Sequence, residues 1–190
     1  MIKLIVLDRD GVINEDSDDY IKSPEEFVPI PGSLAAITQL NAAGYVVVVA
    51  TNQSGIARGY FSEQTLAAMH DKLTRLLAER GGRIDAIYYC PHGPDDGCDC
   101  RKPKPGLLAK IISDYAVRAE DVYAIGDSMR DLQMAVSLNA NPILVKTGKG
   151  HRTLSALTNT TQTHPFKHLP VYDNLAQAVD AFLLKKIKKE

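Results

Sequence analysis

The 190-residue chain reads as an α/β protein, a doubly wound Rossmann-like parallel sheet with helices on both faces. Three observations point there. Short β-branched runs alternate with segments of helical periodicity, in the order β, α, β, α, β, α, β, α, β. The runs are largely apolar, as in strands covered on both sides. Polar clusters rich in Asp, Thr and Lys follow them, where an open parallel sheet binds its ligands.

Residues 2–7 are one such run, ending at Asp8-Arg9-Asp10-Gly11. Residues 32–43 carry Leu34, Ile37 and Leu40 at helical spacing, between Pro31 and Gly44, which predicts a helix. Residues 45–50 form a second strand with Thr51-Asn52-Gln53-Ser54-Gly55 as its polar exit. Ser62 opens a helix to about residue 80, stopped by Gly81-Gly82. A third strand covers 84–89, and the helix at 105–115 takes Pro105 in its first turn, where a missing N–H matters least. Residues 122–126 are a strand, 129–139 a helix and 142–145 a strand. Residues 146–170, rich in Thr, Gly, Lys and His, read as a long surface segment, and 174–184 as a closing helix. The lysine-rich end at 185–189 reads as a solvated helix terminus.

The length suits one domain over residues 1–190. Lys and Arg number 22 against 23 Asp and Glu, for a net charge of −1, so no bulk attraction to nucleic acid or anionic lipid is expected. No apolar stretch approaches the roughly 20 residues of a membrane helix, and the start reaches Asp8 too early for a secretory signal. A cytoplasmic monomer is therefore expected.

Each polar cluster alone has an ordinary reading as a turn or a helix cap. Together their residue types suit one reaction. A carboxylate can attack an anionic phosphate ester only where positive charge screens the repulsion. Asp8 is the expected nucleophile. Asp10, two residues on along an extended segment, faces the same side and suits the general acid and base. Mg²⁺, a hard cation that prefers oxygen ligands, would be held by Asp8, Asp127 and the Asp10 carbonyl. Lys102 would place a compact charge on the phosphoryl group, with Lys104 as a substitute. The Thr51 hydroxyl and the main-chain N–H groups of Asn52, Gln53 and Ser54 would bind the phosphoryl oxygens.

All three cysteines lie between positions 90 and 100. Cys90, His92, Cys98 and Cys100 supply four ligands from one short loop, as a closed structural Zn²⁺ site requires. The loop has few apolar residues to order it otherwise. Cys100 directly precedes Arg101-Lys102, so the metal would aim both cations into the crevice.

Leu7-Asp8-Arg9-Asp10-Gly11-Val12, Thr51-Asn52-Gln53-Ser54-Gly55, Lys102-Pro103 and Gly126-Asp127-Ser128-Met129-Arg130-Asp131 resemble the four motifs of the haloacid dehalogenase (HAD) superfamily, to about residue 150. The resemblance implies an aspartyl-phosphate mechanism. The spacings leave no room for a cap domain. The zinc loop is similar to the branch containing heptose bisphosphate 7-phosphatases and histidinol-phosphatases, and its Cys98–Gly106 run looks most like the former. Five residues separate His92 from Cys98, a shorter spacer than in that branch. The branch implies that Arg101, Lys102 and the segment Asp16-Ser17-Asp18-Asp19 touch substrate. It also implies the C7 phosphate of D-glycero-D-manno-heptose 1,7-bisphosphate as the scissile group, in the synthesis of lipopolysaccharide core precursors. Histidinol phosphate is the alternative substrate. A zinc module that only binds a partner is the alternative of another class.

Overall fold

The computed structural model describes residues 2–158 and 165–187. At the centre lies β1 (Lys3–Leu7), paired in parallel with β2 (Tyr45–Asn52) on one side and β4 (Tyr123–Gly126) on the other. Outside β2 lies β3 (Ala86–Cys90), and outside β4 lie β5 (Asn141–Val145) and then β6 (Val171–Tyr172). The order β3-β2-β1-β4-β5-β6 winds first one way and then the other. Its reversal falls between β1 and β4, where the crevice beyond the strand ends opens.

Alternation along β1 builds both cores at once. Leu4 and Val6 meet Leu107, Leu108 and Ile111 of α3 (Gly106–Tyr115) and Met134 of α4 (Met129–Ser137). Ile5 and Leu7 meet the other layer, formed by α1 (Ser33–Ala42), α2 (Glu63–Ala78) and α6 (Leu175–Ile187). These four side chains, Leu4 to Leu7, are at most 1% exposed. At about 1.5–3 kcal/mol for each such burial, this strand strongly resists displacement. The loop that follows it therefore starts from a rigid base.

Local signals set the helix starts. Ser62 Oγ accepts the Thr65 N–H at 3.0 Å ahead of α2. Ser128 holds the same position before α4, but there its N–H and hydroxyl donate to Asp131 Oδ2 at 3.0 and 2.5 Å.

Thr51 and Asn52, expected as an exit loop, are the last residues of β2, where Asn52 pairs with Cys90 of β3. The segment 146–170 is not a plain surface segment. It holds α5 (Gly150–Thr158) and leads into β6, a two-residue strand on the sheet edge. The apolar residues of α5 are sparse, with Leu154 and Leu157 packing onto a small cluster of Leu132, Leu144 and Phe166. Such a weak stripe is set by tertiary contact rather than by pattern. The lysine-rich end lies outside the residues whose side chains are described. Among the described residues no helix is long and apolar enough to cross a membrane.

Candidate active site

A cavity of about 250 Å³ opens at the reversal of strand order. Its wall brings together Asp8, Asp10, Asp16, Ser17, Asp18, Thr51, Asn52, Gln53, Ser54, Arg101, Lys102 and Asp127. Asp19 lies outside it, exposed, with its main chain held by Ser17 and Lys22. Lys104 also points elsewhere, donating to the Cys98 carbonyl at 2.6 Å. Of these two, Lys102 is thus the lysine that the fold delivers to the cavity.

The floor is a buried cluster of charge. Lys102 Nζ lies 3.0 Å from Asp8 Oδ1 and 2.5 Å from Asp131 Oδ1, and donates to the Ala50 carbonyl at 2.8 Å. Its main chain is clamped by Asn52, whose Oδ1 accepts the Lys102 N–H and whose Nδ2 donates to the Lys102 carbonyl. The Asn52 side chain thereby positions the lysine, while Asn52 itself lies on the cavity wall. Asp8 Oδ1 also accepts the Arg9 N–H at 2.7 Å.

Asp127 is gripped from the opposite wall. Lys149 N–H donates to its Oδ2 at 2.7 Å, and Thr153 Oγ1 donates to its carbonyl at 2.9 Å. Gly11, at φ 81°, lies against this carboxylate so closely that a Cβ there would come 2.1 Å from Asp127 Oδ2. Only glycine fits such an approach in a left-handed backbone.

Asp8, Asp127 and Asp131 each offer an oxygen within 4.8 Å of the others, with Lys102 as the cation among them. Burial, then the negative charge of Asp131, pushes Asp8 up to about 7 against the pull of Lys102. Burial, then Asp8 and Asp131, pushes Asp127 up to about 8. A cluster so short of positive charge fits a divalent cation of oxygen preference. Both Asp131 oxygens are already taken by Lys102 and Ser128, which leaves Asp8 and Asp127 better placed to hold the ion.

Asp10 has different surroundings. Burial works to raise its carboxyl, but the Arg9 charge and hydrogen bonds from Asn14, Arg9 and Gln53 outweigh it and hold Asp10 below the usual carboxylate range. Arg9 contacts both Asp10 oxygens, at 2.9 and 3.1 Å, although Arg9 itself is fully buried. Gln53 Nε2 donates to Asp10 Oδ2 and to Thr51 Oγ1, each at 2.9 Å, linking the β1 and β2 exits.

Beside the cavity, the ligand atoms of Cys90, His92, Cys98 and Cys100 lie within 4.8 Å of one another. The Cys90–Cys98 and Cys90–Cys100 sulfurs are 3.7 and 3.1 Å apart, and His92 Nδ1 is 3.3 Å from Cys100 Sγ. A tetrahedral Zn²⁺ with thiolates at about 2.3 Å has edges near 3.8 Å, so the four donors fit it with a small expansion. No disulfide joins the cysteines.

Sequence reasoning assigned no site role to Arg9, Ser128, Arg130, Asp131 or Lys149. Asp131 carried a usable signal, since it stands three residues after Ser128 as a reciprocal cap requires. Arg130 stands within the run Gly126–Asp131 but was given no role there, and Lys149 carried no signal; it reaches the cavity only through the fold.

The chain belongs to the haloacid dehalogenase superfamily. The HAD-hydrolase-like family model matches residues 99–178. D-glycero-beta-D-manno-heptose-1,7-bisphosphate 7-phosphatase of Pseudomonas putida is 62% identical over 153 residues, spanning 80% of this chain and 87% of that one. The enzyme of the same name from Pseudomonas aeruginosa is 53% identical over 184 residues, spanning 95% and 97%. The crystal structure of D,D-heptose 1,7-bisphosphate phosphatase from B. bronchiseptica, complexed with magnesium and phosphate, is similar with a TM-score of 0.91 and 50% identity, over 97% of this chain and 99% of that one.

Proposed function

We propose that this chain hydrolyses the C7 phosphate of D-glycero-D-manno-heptose 1,7-bisphosphate through a phosphorylated Asp8, as a cytoplasmic single-domain enzyme. The observation that carries the chemistry is Lys102 Nζ, buried at the strand reversal 3.0 Å from Asp8 Oδ1. The names of relatives up to 62% identical support the substrate.

In this reading an Asp8 oxygen attacks phosphorus in line with the ester oxygen, which leaves with a proton from Asp10. Arg9 favours the ionised form of Asp10 before substrate arrives. An arriving phosphate dianion raises Asp10 through like-charge repulsion and so favours the acid form. Asp10 next takes a proton from water, which attacks the aspartyl-phosphate and releases inorganic phosphate. Lys102 and Thr51 hold the phosphoryl oxygens, helped by the N–H groups of Asn52, Gln53 and Ser54. Mg²⁺, held by Asp8, Asp127 and the Asp10 carbonyl, would neutralise charge on the transferring group.

Arg101 and Arg130, both on the cavity wall, offer guanidinium donors to a second phosphate. Asp16 is already paired with Lys149 at 2.6 Å, which weighs against capture of the histidinol amine. Zn²⁺ on the cysteine loop serves the fold of that loop. The test is phosphate release with Mg²⁺ from the heptose bisphosphate and from histidinol phosphate, together with beryllium fluoride trapping. The heptose ester should have the higher kcat/KM and the fluoride should sit on Asp8. Preference for histidinol phosphate, or full turnover by Asp8→Ala, rejects the reading.

A further inference from the structure

The loop between β5 and α5 enters the site from a part of the chain where the sequence shows no motif. Its backbone lies against Asp127 as closely as Gly11 does. A Cβ on Gly148, at φ 54°, would come 2.2 Å from Asp127 Oδ2 and 2.6 Å from the Gly11 Cα. Thr147 Oγ1 donates to the Gly11 carbonyl at 2.6 Å, and the Lys149 N–H donates to Asp127. Three contacts thus anchor the main chain at Lys149 to the β1 and β4 exits, and the origin of its side chain is fixed relative to the phosphoryl site.

From that anchor the side chain spans to Asp16 Oδ2 at 2.6 Å, a partner 133 residues away in the chain. The pair is 28% and 14% exposed, and both residues line the cavity. An ammonium has three donors and a carboxylate about four acceptor positions, so one mutual bond leaves donors on Lys149 and acceptors on Asp16. The pair is neutral as a whole. It neither repels an anionic ester, as Asp16 alone would, nor adds bulk affinity for phosphate. What it presents is a donor and an acceptor at a set separation, the complement of adjacent hydroxyl groups, each of which accepts and donates.

We propose that Lys149 and Asp16 act together as a hydroxyl-reading pair that selects a polyol phosphate over a phosphate ester without hydroxyls. This rests on the heptose reading above and names the residues that distinguish the sugar from its phosphate. Lys149 and Asp16 here contact the substrate and set specificity, and neither takes part in the bond change. Arg152 and Asp18, 3.6 Å apart and about three-quarters exposed, form a screened surface contact that has no part in the proposal.

The test compares the heptose bisphosphate with 4-nitrophenyl phosphate, which carries no hydroxyls, on Mg²⁺-loaded wild type, Lys149→Met, Lys149→Arg, Asp16→Asn and the Lys149→Met/Asp16→Asn double variant. Lys149→Met should lower the sugar-to-aryl ratio of kcat/KM about tenfold, chiefly through the sugar KM. Lys149→Arg should recover most of that ratio. The double variant should lose no more than the worse single one, since either change alone breaks the pair. A structural strap would instead lower kcat/KM for both esters alike. Equal losses on the two esters, or additive losses in the double variant, overturn the proposal. If Lys149→Met does not fold, Asp16→Asn alone carries the same ratio test. Wild type with no preference for the sugar would reject the heptose reading itself and remove the polyol that the pair is said to read, an outcome visible before any variant is measured.

Discussion

Lys102 Nζ lies 2.5 Å from Asp131 Oδ1, joining residues 29 apart in the sequence beneath the cavity floor. Asp131 in turn caps α4 through Ser128, so the helix that starts after β4 holds the lysine that faces β1. The cation's position is thereby decided by two strands and a helix together rather than by its own loop.

Removing that cation leaves Asp8, Asp127 and Asp131 buried without compensation. Lys102→Met should abolish measurable turnover and lower stability by about 3–5 kcal/mol. Saturating Mg²⁺ should return part of the loss, because an ion that binds only the folded state stabilises it. Urea denaturation with and without Mg²⁺ checks this, and wild-type stability in the metal-free variant would contradict it.

A methyl group at Gly11 would meet Asp127 Oδ2 at 2.1 Å from a backbone at φ 81°. Gly11→Ala should displace the carboxylate, weaken Mg²⁺ binding about tenfold or more and cost about 1–2 kcal/mol of stability. Titration calorimetry of Mg²⁺ is the measurement. Unchanged affinity would mean that Asp127 does not hold the ion.

Arg101 donates to the His92 carbonyl at 3.1 Å, so the cysteine loop fixes the arginine's direction. Cys98→Ser, or removal of Zn²⁺ by a chelator, should raise KM for the bisphosphate about tenfold with a smaller effect on kcat. Kinetics after Mg²⁺ is restored would show it. A zinc-free protein with wild-type KM would separate the loop from substrate binding.

His70 provides a pH prediction at a group that is not itself a proposed ligand of either metal. Burial, then the Arg9 charge, lowers it to about 4 from an ordinary 6.5. The unfolded chain therefore binds a proton that the folded chain refuses. Stability from this group is complete above pH 6.5 and falls as pH drops toward 4, by up to about 3 kcal/mol. Melting of His70→Phe should show a shallower acid slope than wild type between these values, and identical slopes would remove His70 as the cause.

The strand ends show how much was legible. Residues 4–7 and 45–50 are apolar without interruption, and only strands buried on both faces tolerate that, so Asp8 and Thr51 could be placed at a shared edge. The zinc loop was equally plain, because its four ligands lie within 11 consecutive positions, 90–100, and need no tertiary contact to be recognised. α5 and β6 were not legible, since two leucines on a short helix and two residues on a sheet edge carry too little local preference.

From the order of residues alone came the parallel sheet, the acidic pair at its first strand end and the cysteine loop, all of them consequences of periodicity or near-neighbour spacing. The folded chain alone decided which groups meet: Asn52 with Lys102 across 50 residues, Lys102 with Asp131, and Asp16 with Lys149 across 133. Such partners are selected where strand exits converge on the reversal of the sheet. A buried charge takes the counter-charge that the fold carries to it, however far away that residue stands in the sequence.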